Sequence, residues 1–413
     1  MAAVGPLRIC VVVLLGMAPQ ARPGIAARTR TTMEALEARA KQNPQDHAAW
    51  NRIADARLAL AVSSGDLANL ERAEQAVVQS LRAVPAESNW SALLLRTRIE
   101  LALHRFQEAR QSAEYLGRLD PESADALGLL GDAFFNLGED AAAESSWLKM
   151  AGRDPANLFL IEPRLAQLAL FRGRNSEAAA RYRKILEAGK DAEGDVGAWA
   201  NVQLGALAFR SGDWAKAGEY YDAALNARPQ YYPALDHQAE LRGAEGRFNE
   251  AVALYTSLIE QTRRPELMQA LGDLYLSSGK KEAAASWHNK ALSAYLVSVE
   301  KGEATCFHHL AILYSDSLNE PEHAVEWARR DLTFRHTISA YDTLAWALYK
   351  TGSVGEARDV ILRILSLNPS DPGILYHAGT ILMRVGDLSA GRLKLQEALA
   401  VNPRYNTFHV HRE

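Results

Sequence analysis

Cysteine is nearly absent from this chain: its 413 residues include Cys10 and Cys306 and no other. A disulfide framework and a thiolate zinc site both need cysteines paired at short spacing, so neither is built into the sequence. An excess of one charge is missing too. Lys and Arg number 46 against 50 Asp and Glu, a formal net charge of -4. A general nucleic-acid binder needs a basic footprint to neutralise phosphates, and that class is set aside. Enzyme signatures are also missing: there is no Gly-rich phosphate loop, no GxSxG elbow and no HExxH helix. Cys306, His308 and His309 lie close together, but no second ligand pair stands at metal-binding spacing. A packed or surface role is expected for them. The reading is a non-enzymatic chain without catalytic, cofactor-binding or metal-binding residues.

Long apolar runs are scarce. Arg8 precedes one stretch, from Ile9 to Ala18, which would make about 15 Å of helix, half of a bilayer core. That length fits the apolar part of a secretory signal rather than a membrane span. Residues 1–27 are therefore expected to be a signal peptide, with cleavage near Ala21 or Ala27 and an exported, periplasmic or secreted chain. Arg22, Arg28 and Arg30 just beyond the run oppose export, and a non-functional signal would leave the chain cytoplasmic. No later stretch is long and apolar enough to span a membrane.

What the sequence does have is a period. A small residue recurs at Thr97, Gly131, Ala166, Gly205, Ala239, Gly272, Ala311, Ala345 and Gly379, in steps of 34, 35, 39, 34, 33, 39, 34 and 34. A second follows about twelve positions later in each unit, from Ala109 and Ala143 through to Ala357 and Gly391. A turn glycine stands between them in most units, and a proline closes several. A fixed period of this size means a solenoid, one continuous body without a single core. Hydrophobic content of 48%, much of it alanine, suits close helix contact.

The unit from Ala124 to Pro155 explains the pattern. Leu127, Leu130 and Phe134 recur at helical spacing, with Gly131 on their face. Gly138 allows a tight turn, and Ala143, Trp147 and Met150 form the apolar stripe of a second helix. Two antiparallel helices result, with Gly131 and Ala143 small so that the backbones approach closely.

These residues resemble the tetratricopeptide repeat over roughly residues 46 to 403. The stretch GDWAKAGEYYDAALNARP, Gly212 to Pro229, is similar to that family's second-helix pattern, and GKKEAAASWHNKAL, Gly279 to Leu292, nearly so. The resemblance implies an all-α fold, a right-handed α-solenoid of about nine to ten tetratricopeptide-like helix pairs. Gln238, Arg242, Arg96 and Glu100 replace apolar residues, and the units that hold them are expected to be looser.

The organisation expected is a linker at 28–45, a first block of repeats at 46–189, a flexible joint at 190–197, a middle block at 198–301, a C-terminal block at 302–403 and a tail at 404–413. Within the tail, Phe408 and Val410 are expected to cover the last apolar face. The helix before Gly302 meets no breaker and is expected to run on by one or two turns.

The resemblance also implies a concave groove lined by certain first-helix positions. Mapped onto this chain they include Asp132, Phe135, Asn136, Asp236, Glu240, Asp273, Asp342 and Trp346, with Phe209 and Arg210 among the rest. The middle of the groove is then acidic, unlike the Lys, Asn and Arg clamp by which some family members hold acidic chain ends. The expected partner is a protein or extended peptide, basic where it meets these carboxylates. The function expected is a protein–protein interaction scaffold. The alternative is a regulatory or targeting subunit of an envelope or glycosyltransferase-type assembly whose catalysis lies in another chain.

Overall fold

The computed structural model describes residues 25–64, 68–188, 195–301 and 304–404. Among these residues there are 21 α-helices and no strand. The chain opens with α1 (Ile25–Gln42). Helix pairs follow: α2 (His47–Ser64) with α3 (Ala68–Ala83), α4 (Trp90–Ala102) with α5 (Phe106–Leu119), and α6 (Ala124–Asn136) with α7 (Asp140–Arg153). Next come α8 (Leu158–Phe171) with α9 (Asn175–Ala188), α10 (Asp195–Arg210) with α11 (Trp214–Ala227), and α12 (Tyr232–Ala244) with α13 (Phe248–Thr262). The series ends with α14 (Pro265–Ser277) and α15 (Lys281–Glu300), α16 (Phe307–Ile312) and α17 (Pro321–Asp331), α18 (Ile338–Lys350) and α19 (Val354–Leu365), and α20 (Pro372–Arg384) and α21 (Leu388–Val401). The fold is an all-α array of helix pairs.

The turn inside each pair follows one rule. Gly138, Gly173, Gly212, Gly246, Gly279, Gly352 and Gly386 all have positive φ, which a residue without Cβ adopts without clash. Two units lack the glycine, and His104 and Asn319 take the left-handed conformation there instead. Each of these residues stands seven positions after the small residue of its first helix, except Asn319, which stands eight after Ala311. A π-helical turn over Leu313–Ser317 absorbs that extra residue. The closing hydrogen bond shifts with it: Glu139 N donates to Phe134 O at 2.9 Å, five residues back, whereas Glu320 N reaches Tyr314 O, six back, at 2.8 Å.

Small first-helix residues exist to admit a large neighbour from the second helix. A Cβ on Gly131 would stand 2.4 Å from the Trp147 ring, and one on Gly205 would stand 2.3 Å from Tyr221 Cε1. Trp147, Tyr182, Tyr221 and Tyr295 are among the largest fully buried side chains. Each removes a large apolar area from water at the centre of its pair.

Three expectations need correction. The stretch read as a linker is helical over Ile25–Gln42, because its Ala, Glu, Arg and Lys residues favour helix and Met33 and Ala40 find burial. The units with polar replacements are not loosened. Arg96 Nε donates to Glu100 Oε1 at 2.7 Å and Gln238 Nε2 to Asp222 Oδ1 at 2.9 Å, so the helices form around these polar groups, with Glu100 Oε2 left buried and unbonded. The long helix before Gly302 is present as α15, 20 residues, but the chain does not divide there. Packing groups it into two compact units, the first ending at Leu165 and the second taking up at Ala166, inside α8. Residues 1–24, 189–194, 302–303 and the tail from 405, on which the signal, most of the joint, Gly302, Phe408 and Val410 fall, lie outside the described residues.

The first unit holds its core in Leu93, Ile99, Phe106 and Leu116. In the second unit, Tyr221, Leu241, Tyr255 and Leu271 form one cluster and Tyr295, Leu310, Leu313 and Ile361 another. The second unit also curls upon itself. Its last turns approach its first: Ser370 Oγ donates to Asn175 Oδ1 at 3.1 Å, across 195 residues of sequence. The carbonyl oxygen of Asn368 lies only 2.6 Å from where a Cβ on Gly173 would be, and Asn402 Oδ1 lies 2.8 Å from the same point on Gly212.

Candidate functional site

The residues read as an open acidic groove are mostly buried and partnered. A carboxylate removed from water needs donors, and neighbouring repeats supply them. In the first unit, Asp132 accepts from Arg164 at both oxygens, Nε to Oδ1 at 2.8 Å and Nη2 to Oδ2 at 2.6 Å. Trp147 Nε1 adds a third bond to Oδ1 at 3.0 Å. Phe135 packs against the Trp147 ring, and Asn136 Nδ2 donates to the Asp132 backbone carbonyl at 2.8 Å.

The second unit uses histidine for the same purpose. Asp273, 2% exposed, shares its Oδ1 between His288 Nε2 and Ser317 Oγ, each at 2.8 Å. Asp342 Oδ2 lies 3.0 Å from His377 Nδ1, and Trp346 stacks on that imidazole with ring centres 4.1 Å apart. Trp346 Nε1 donates to Asp316 Oδ1 at 2.9 Å. Burial pushes the His377 pKa down, but the charge and hydrogen bond of Asp342 outweigh it and hold the imidazole above its usual value. Glu240 is buried beside His237, Oε2 to Nδ1 at 3.3 Å, and Asp236 is half-buried. While Asp236 stays half-buried, most carboxylates of the expected acidic stripe are thus held by ties within the chain. Their signal was in the sequence: Arg164 and His377 follow Asp132 and Asp342 by 32 and 35 residues, one repeat on.

The histidine group near Cys306 is structural as well. Cys306 is buried, His308 lies 3.3 Å from both Ser339 Oγ and Thr343 Oγ1, and His309 stacks on Tyr295.

The space for a partner lies elsewhere in the second unit, where its last repeats fold back on its first. A cleft opens there. Leu170 and Phe171 of α8, Leu207 and Arg210 of α10, Ile338 of α18 and Ile374 of α20 contribute to its walls, with Pro369, Ser370 and Asp371 at one side. Asp371 is the N-cap of α20: its Oδ1 accepts from Gly373 N at 2.9 Å and Ile374 N at 3.3 Å. Burial pushes the Asp371 carboxyl up, against the opposing pull of Arg210. Arg210 Nη1 remains 3.8 Å from Asp371 Oδ2, beyond hydrogen-bond reach. Of the residues named in the groove, Arg210 is the one whose charge borders open space in this cleft.

Comparison with known proteins decides the family. A sequence profile described as Tetratricopeptide repeat matches residues 94–157, 164–232 and 238–295. Residues 94–295 carry tetratricopeptide repeats. Among curated proteins, a TPR repeat-containing protein of Pseudomonas aeruginosa is 29% identical over 211 residues, 49% of this chain and 34% of the relative. Cellulose synthase operon protein C of Komagataeibacter xylinus is 23% identical over 330 residues, 76% of this chain and 23% of the relative. The chain therefore spans about a third or less of the curated relatives it matches. Among solved structures, the APC/C hetero-tetramer Cut9-Hcn1 overlaps 87% of this chain and 76% of that one at 17% identity and a TM-score of 0.43. A tetratricopeptide repeat protein from Parabacteroides merdae overlaps 57% and 91% at 20% identity and a TM-score of 0.41. In tetratricopeptide repeat terms, Arg210 ends a first helix, so the cleft is walled largely by first helices from opposite ends of the second unit.

Proposed function

We propose that this chain is a non-enzymatic scaffold that holds an extended segment of another protein in the cleft of its second unit. The observation that carries the reading is the cleft itself, with mainly apolar walls and a few polar groups set among them. Apolar walls take the side chains of a bound segment, while Ser211, Ser370 and Arg210 offer hydrogen bonds to its backbone or polar groups. Most of the carboxylates first expected to meet a basic peptide are buried and bonded within the chain, and the reading turns to the cleft instead.

The test is site-directed photo-crosslinking in the native host. A crosslinking residue at Leu207, in the cleft, should give a discrete adduct with one protein, and the same group at the exposed Leu148 should not. Equal labelling from both positions, or none from Leu207, would remove the cleft from the reading.

A second reading is favoured by one observation, the match to cellulose synthase operon protein C. In that case the scaffold serves a polysaccharide-forming assembly, and the Leu207 adduct is a glycosyltransferase or an envelope component. Export through the N-terminal segment belongs to this proposal as well. Mass spectrometry of the protein from its host should find a mature N-terminus near residue 22 or 28, and an intact Met1 on a cytosolic chain would reject it. No helix among the described residues is long and apolar enough to cross a membrane.

A further inference from the structure

The guanidinium of Arg210 is the unusual group in the cleft. Its Nη2 is closed off from solvent and has no hydrogen-bond partner. Its Nε makes a long bond, 3.4 Å, to the Ala206 carbonyl of its own helix. Its Nη1 stops 3.8 Å short of Asp371. Asp371 cannot close that gap without giving up its capping bonds to Gly373 and Ile374, because those bonds hold the carboxylate at the start of α20. A guanidinium presents donors in a planar fork, and leaving one buried and unmatched is costly. Elsewhere in the chain the contrast is plain: Arg164, also buried, has every nitrogen bonded to Asp132 or to the Leu160 carbonyl. Nη1, which faces Asp371 without bonding it and is not closed off, is therefore the donor held ready for an acceptor that comes from outside.

We propose that the segment bound in this cleft carries an aspartate or glutamate side chain that Arg210 receives, with apolar residues beside it that fill the walls formed by Leu170, Phe171, Leu207 and Ile338. The inference rests on the cleft being a peptide site, as argued above, and adds the chemistry of its ligand. An ionised carboxylate makes a charge-assisted bond to Nη1, stronger than the one a backbone carbonyl or a serine hydroxyl makes. It also supplies the negative charge that the capping role of Asp371 keeps at a distance. The apolar walls then shield the ion pair from water and from salt.

The test uses arrays of random ten-residue peptides with amidated C-termini, probed with the purified full-length chain. The expected result is a set of binders enriched in Asp or Glu at one position flanked by apolar residues. For the best binder, Glu→Gln or Asp→Asn in the peptide should weaken binding by about tenfold or more, the loss of a charged hydrogen bond. Arg210→Gln should erase the acidic preference, and Arg210→Lys should keep part of it as a point charge. Binders with no acidic preference, or an acidic preference that survives in Arg210→Gln, overturn this inference while leaving the cleft a peptide site. An array without binders overturns the peptide-site reading, and this inference with it.

Discussion

Asp132 and Arg164 close a two-pronged ion pair at 2.6 and 2.8 Å, joining the first helix of one repeat to the first helix of the next. Both side chains are almost wholly buried, so each charge depends on the other. The pair sets how the two successive helices seat, and it explains why an acidic residue is tolerated at a position next to the Trp147 ring.

Removing one member should be far worse than removing both. Asp132→Ala strands the guanidinium and should destabilise the first unit by about 3–5 kcal/mol, whereas Asp132→Leu combined with Arg164→Met should recover most of that loss. Denaturant unfolding of the wild type, both single variants and the pair measures it. A double variant no more stable than Asp132→Ala would assign the loss to packing rather than to the stranded charge.

Glycines on helix faces should divide into two classes. At Gly205 a Cβ meets the Tyr221 ring at 2.3 Å, so Gly205→Ala and the neighbouring Ala217→Leu should each cost about 1–3 kcal/mol by overpacking. At Gly152 nothing lies within 4 Å, and Gly152→Ala should stabilise α7 by about 0.5 kcal/mol through helix propensity. Opposite signs in thermal melts are the expected outcome, and equal effects would count against the packing assigned to the pair.

The His377–Asp342 tie should make the second unit sensitive to alkali. His377 titrates above its ordinary value in the folded chain, so the folded state holds its proton more tightly than the unfolded one. The stabilisation is fully present below about pH 6.5, the ordinary histidine value, and is lost as pH rises through the folded value. His377→Gln should therefore destabilise the protein more at pH 6 than at pH 9. A difference between wild type and variant that is constant over that range would show that the imidazole is neutral in its site.

The turn glycines should also differ. Gly279→Ala meets no neighbour and should cost about 1 kcal/mol, the strain of a left-handed alanine. Gly173→Ala carries the same strain and also drives a Cβ to 2.6 Å from the Asn368 carbonyl oxygen, which must move. Hydrogen exchange over residues 366–376 should rise in Gly173→Ala and stay at the wild-type level in Gly279→Ala. Unchanged exchange in both would mean that the approach of the last repeats to the first does not depend on that glycine.

The period of about 34 residues, and the small residues seven positions before each turn and twelve before their second-helix counterparts, determined by themselves that this chain is a run of helix pairs. Those are local spacings. They fix which face of a helix is buried and where it must turn, and a reader of the sequence needs nothing else to see them. Even the one irregular unit is marked, since thirteen residues separate Ala311 from Ala324 where twelve is the rule, and the π turn at Leu313–Ser317 takes up the difference. The tertiary structure alone decided what the charged first-helix positions do. Whether Asp132, Asp273 and Asp342 face solvent or a partner depends on the seating of each repeat against its neighbours, and the structure gives them Arg164, His288 and His377. It alone brought Ser370 to Asn175 and left Arg210 beside an open cleft, because small rotations per repeat accumulate over the second unit until distant turns meet. A periodic sequence encodes each step of that winding only weakly, and the closure is the sum of all of them.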